Sequence, residues 1–67
     1  MPPKRLSRVI QKLREGKDMT QRDLAHEAQV TPGYIAQLEM GIRKNPSLKV
    51  LKKLAKALGV PVTELLG

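Results

Sequence analysis

Apolar residues recur along this chain at helical spacing, never in the alternation of a strand. Leu6, Val9, Ile10 and Leu13 stand at i, i+3, i+4 and i+7, one face of a first helix whose other faces carry Lys and Arg. Gly16 to Asp18 should end it, because glycine enters the left-handed region freely and aspartate more readily than most residues. Thr20 is positioned to N-cap a second helix, with Asp23 as a shorter version of the capping-box acid and Leu24, Ala25 and Ala28 as the inner face. Thr31 and Pro32 restart the chain as N-cap and first helical residue, and this third helix runs to about Met40, with Gly41 as its C-terminal cap. After the loop "IRKNP", Ser47 caps a fourth helix whose Leu48, Leu51, Leu54, Ala55 and Leu58 make the longest apolar stripe. Gly59 ends it, and Pro61 opens a last turn or two in which Val62, Leu65 and Leu66 keep helical spacing.

The pattern predicts an all-α fold of five short helices, residues 1–67 forming a single domain. The second and third helices are too short to be stable alone in water. The first, fourth and fifth carry the long stripes, so they form the scaffold on which the central pair is held and presented.

Composition narrows the functional classes. With no cysteine the chain has neither disulfides nor thiolate metal ligands, which suits a reducing cytoplasm. His26 is the only histidine, so no metal site is expected, and it reads as an ordinary surface or partly buried residue. One His, no Cys and no clustered carboxylates offer no acid–base or nucleophilic constellation, which argues against an enzyme; no cofactor and no small-molecule effector is evident. Apolar runs of two or three residues exclude a membrane span, and "MPPKRLSR" lacks the apolar segment of a secretory signal. A soluble intracellular protein is expected.

The net charge of +7 favours polyanionic partners, and its distribution is uneven. Residues 1–17 carry +5, residues 18–41 carry −3, and residues 42–67 carry +5. On a nucleic acid, general attraction would come from the flanks, while the middle would supply shape and hydrogen bonds. A basic surface that only aids solubility is the plainer alternative.

The middle has a stricter pattern. A helix-turn-helix sets two helices at a steep angle so that the second enters the DNA major groove. Counted from Gln21, its apolar positions fall on Leu24, Ala28, Val30, Ile35 and Leu38, and the position where the helices nearly touch falls on Ala25; all six fit. With Ile35 and Leu38 inside, Gly33, Ala36, Gln37 and Met40 point away from the core. Gln37 is the leading base reader, because an amide both donates to and accepts from an adenine edge. Gly33 permits close backbone approach, and Tyr34, the only aromatic residue, sits on the flank of this helix where it can reach DNA backbone or a base. Thr20 and Gln21 at the start of the second helix suit a phosphate. Arg22, then Arg43, Lys44 and Asn45 in the loop, are the remaining phosphate ligands expected. Lys49, Lys52, Lys53 and Lys56 lie opposite the stripe of the fourth helix, mostly as a solvated face, with Lys49 near enough to the loop to serve as well. Pro2, Pro3, Lys4 and Arg5 read as a frayed terminus, or as an arm on the DNA backbone.

"MTQRDLA", "VTPGYIAQLEMG" and "NPSLKVLKKLAKALGV" resemble the Cro and lambda-repressor-like (XRE-type) helix-turn-helix family over roughly Leu6 to Leu66. The resemblance implies a five-helix bundle, sequence-specific binding to double-stranded DNA as a homodimer, and transcriptional regulation, with repression the leading mode. It also gives Gln21 a phosphate and pairs Arg14 with Glu39 between the first helix and the end of the recognition helix. Two positions depart from the family pattern. Gln29 stands where the turn often has glycine, and Pro32-Gly33-Tyr34 stands where phage repressors often place glutamines, so sequence preference does not carry over. Val60, Pro61, Val62 and Leu66, beyond what one short helix needs for the core, are the expected dimer contacts. Two other classes compete: an antitoxin or anti-repressor that uses the fold on a protein partner, and a cationic membrane binder, which leaves the central motif unexplained.

Overall fold

The computed structural model describes residues 3–43 and 46–66. Among them it has five helices and no strand: α1 (Pro3–Gly16), α2 (Gln21–Ala28), α3 (Pro32–Glu39), α4 (Leu48–Leu58) and α5 (Thr63–Leu66). The described residues pack into a body of 26 × 23 × 21 Å. α3 lies between α2 and α1, α2 packs also on α4, and α5 closes the bundle against α1 and α4.

Local chemistry sets the helix starts. Thr20 Oγ1 accepts the Asp23 N–H at 3.0 Å and the Thr20 N–H donates to Asp23 Oδ2 at 2.9 Å, a complete capping box. Thr31 caps α3 through the Tyr34 N–H, with Pro32 in the first turn, and Ser47 caps α4 through the Val50 N–H. The start of α1 differs from expectation: the helix already includes Pro3, so Pro3, Lys4 and Arg5 belong to α1 rather than to a frayed end. Pro2 lies outside the described residues.

The core is Ile10, Leu24, Ala25, Ala28, Ile35, Leu38, Leu51, Leu54, Ala55, Leu58 and Leu65, with Leu6, Val9, Leu13, Val30 and Tyr34 packed against it. Every helix contributes to it, and burial of a residue such as Ile35 or Leu38 contributes about 2 kcal/mol. Leu48 is the exception to the α4 stripe, at 53% exposure. At about 100° per residue it stands roughly 70° from the centre of the stripe, and as the first residue of the helix it has no packed turn before it.

Two bends decide where the central helices go. Gln29 takes the left-handed conformation (φ 59°, ψ 43°) at the turn, as its place in the motif requires, and the Val30 N–H then reaches Ala25 O at 2.9 Å. Gly41 (φ 78°) reverses the chain after α3: its N–H bonds Leu38 O, and the Ile42 and Arg43 N–H groups bond Gln37 O at 2.9 and 3.3 Å.

Candidate nucleic-acid interface

The inner side of α3 is locked. Ile35 and Leu38 are buried, and at its last residue Glu39 receives the Arg14 guanidinium from α1, with Nε to Oε2 at 2.6 Å and Nη2 to Oε1 at 3.1 Å. Arg14 Nη1 also donates to Met19 O at 2.7 Å, at the entrance to α2. The fork-to-carboxylate geometry is bidentate, and only 11% of the Arg14 side chain and 5% of the Glu39 side chain meet solvent. The hydrogen bonds to Glu39 raise the Arg14 pKa above its already high ordinary value, more than burial lowers it. This is the pair that the family resemblance implies.

Gln21 joins the same carboxylate, its amide donating to Glu39 Oε1 at 3.0 Å. The half-buried side chain is thus turned into the fold. What the start of α2 offers a phosphate is the exposed Arg22 side chain and the amides of Gln21 and Arg22, which the first turn of a helix cannot bond internally. Thr20 is exposed, but its hydroxyl already serves the capping box. In the same box the Thr20 N–H holds the exposed Asp23 carboxyl below its ordinary pKa, the Thr20 hydroxyl and Arg22 adding to the effect.

The outer side of α3 presents Gly33 and Gln37, both exposed, the half-buried Ala36 and Tyr34, and Met40 at 72% exposure. A Cβ added at Gly33 would meet no atom within 4 Å. Nothing in the fold itself therefore needs glycine there. Gln37 is not a free amide: Arg43 Nε donates to its Oε1 at 3.0 Å, and the Arg43 guanidinium carbon sits 5.4 Å from the centre of the Tyr34 ring, within cation–π range. Three residues read separately from the sequence thus form one surface cluster, with Gln37 and Arg43 exposed and Tyr34 half-buried. The signal that could have joined them was Gly41, because a left-handed residue at a helix end folds the next residues back over the last turn.

Lys44 and Asn45 lie outside the described residues. On the outer side of α4, Lys49, Lys52 and Lys56 are exposed and Lys53 is half-buried. His26 is exposed, and no group of metal-ligating side chains occurs among the described residues. No helix of the described residues is long and apolar enough to cross a membrane. Of the four expected dimer residues, Val60 and Val62 pack partly against the chain's own core, whereas Pro61 is exposed and Leu66 is 51% exposed.

Known proteins share this fold. A helix-turn-helix family model matches residues 10–65. The HTH-type transcriptional regulator SlrR of Bacillus subtilis (strain 168) is 37% identical over 60 residues, 90% of this chain and 40% of that protein. The immunity repressor protein of Bacillus phage phi105 is 38% identical over 58 residues, 87% of this chain and 40% of that one. The chain thus spans less than half the length of these curated relatives. Among solved structures, the restriction-modification controller protein C.AhdI from Aeromonas hydrophila superposes with a TM-score of 0.89 at 32% identity, over 94% of both chains. With the motif, the five-helix order and the Arg14–Glu39 clamp all in place, this chain belongs to the XRE-type helix-turn-helix family of transcriptional regulators.

Proposed function

We infer that the protein is a sequence-specific double-stranded DNA-binding regulator of transcription, acting as a repressor on a dyad-symmetric operator as a homodimer in the cytoplasm. The observation that carries this reading is the two-sided construction of α3. One side is fixed to α1 and α2 by Arg14, Gln21 and Glu39, so the other can present Gly33, Tyr34 and Gln37 in a set orientation. The Gln21 and Arg22 amides, the Arg22 side chain, Lys44 and Asn45 are assigned to phosphates on either side of the groove, with Thr20 shaping the helix start. Pro61 and Leu66, with the outer parts of Val60 and Val62, are assigned to the dimer contact, which would set two recognition helices about 34 Å apart. No catalytic step is assigned.

Titration against duplex DNA at several salt concentrations tests the reading. Each phosphate neutralised lowers log K by about 0.9 per decade of salt, so a steep slope is expected, followed by recovery of a two-fold symmetric site from a random duplex library. A flat slope with no enriched sequence would favour a protein partner instead. The exposed Met40 and Ile42, at 72% and 60%, are apolar surface suited to that alternative.

A further inference from the structure

We propose that Arg43 is a specificity residue rather than a phosphate anchor, and that with Tyr34 and Gln37 it forms a donor-rich reading unit that selects guanine over adenine in the major groove. The proposal rests on the DNA-reading function inferred above and names what that site prefers.

The argument begins with the amide of Gln37. A guanidinium carries only donors, so only the carbonyl end of the amide can face it. The 3.0 Å contact from Arg43 Nε to Gln37 Oε1 therefore fixes the amide's direction, carbonyl toward the loop and NH₂ away from it. Arg43 is itself held. The left-handed Gly41 brings the chain back, both the Ile42 and Arg43 N–H groups bond Gln37 O, and the guanidinium lies over the Tyr34 ring. Arg43 and Gln37 are both exposed, and among the described residues no protein hydrogen bond occupies the Nη groups of Arg43 or the Nε2 of Gln37, so these donors remain for a ligand.

A glutamine acting alone reads adenine with both ends, the carbonyl accepting from N6 while the NH₂ donates to N7. Here Arg43 takes one of the two lone pairs of that carbonyl and sets its own donors beside it, so the N6 amino group of adenine would approach the remaining lone pair against neighbouring donors. Guanine presents two acceptors, O6 and N7, on the same edge, which is the complement of this pair. Cytosine presents a donor and is disfavoured for the same reason.

The experiment is selection from a random duplex library, followed by competition between duplexes that differ only at the base pair under Gln37, with the wild type, Arg43→Ala, Gln37→Ala and Tyr34→Phe. The wild type is expected to prefer guanine about tenfold or more. Arg43→Ala should lose that preference and move toward adenine, because the donors beside the Gln37 carbonyl are gone and the amide is free to turn. Gln37→Ala should keep part of the guanine preference through Arg43, and Tyr34→Phe should keep nearly all of it, since the ring remains. Arg43 and Gln37 are exposed, so thermal melting should show all these variants folded. Selection of adenine by the wild type would overturn the proposal. So would an Arg43→Ala protein that loses affinity for all sequences equally, with the salt slope reduced by about one, which is the mark of a phosphate contact. Failure to enrich any duplex sequence would instead overturn the DNA-reading function and this inference with it.

Discussion

Helix α3 has an arginine against each of its sides, and the two are held in opposite ways. Arg14, inside, makes a bidentate bond to a carboxylate that is 5% exposed. Arg43, outside, makes one hydrogen bond to a neutral amide and lies on an aromatic face, in contact with solvent. A buried charge pair loses much when one partner is removed, because the other remains desolvated. An exposed pair loses little, because water replaces the missing partner. The inner arginine thus fixes where the helix lies, and the outer one keeps its remaining donors available to a ligand.

Several substitutions break or sharpen that contrast. The largest effect is expected from Glu39→Ala, which leaves Arg14 unpaired and Gln21 without its acceptor: a loss of about 3 kcal/mol in urea unfolding, most of what a core this small supplies. Gln37→Ala should change stability by less than about 0.5 kcal/mol. If the two variants unfold alike, the contrast is wrong. On selected DNA the order reverses, with Gln37→Ala costing about 2 kcal/mol of binding while random DNA is bound almost as before. Next comes Gly33→Ala, which should stabilise the free protein by about 0.5 kcal/mol, since a methyl group there meets nothing. Its binding should weaken if the backbone approaches DNA closely, and equal binding would remove Gly33 from the contact surface.

The smallest effect is set by pH. Asp23 is held below its ordinary pKa by the Thr20 N–H, so its contribution is present above the unfolded value of about 3.9 and lost as pH falls through the lower folded value. Thermal melts from pH 6 to pH 2 should show the wild type's advantage over Asp23→Asn shrinking below about pH 4. A constant difference across that range would mean that the capping box works equally well with a protonated acid.

The starts of α2, α3 and α4 were legible because caps are local: Thr20, Thr31 and Ser47 each bond an N–H three residues on, whereas the start of α1 carries no such cap signal and was placed too late. The core positions of the motif followed from periodicity, and Gln29 could be seen to need a left-handed backbone from its place in the turn. Leu48 was misplaced because burial at a helix end depends on where neighbouring helices stop, which periodicity does not encode. The partners of Gln21 and Gln37 were hidden for a related reason. An amide can donate and accept, so its type does not say whether it will face Glu39, 18 residues away, or solvent.

The Glu39 carboxylate has a kinetic consequence as well. It takes bonds from the first residue of α2 and from α1, so α3 cannot peel away from the bundle without breaking contacts to α1 and α2 at once. Opening of this region should therefore coincide with unfolding of the whole bundle, and amide hydrogens in the last turn of α3 should exchange at the rate set by global unfolding. A binding surface of that kind arrives at its ligand already ordered. Little chain entropy is then lost at association, and slow annealing of the helix after encounter has no part in the rate.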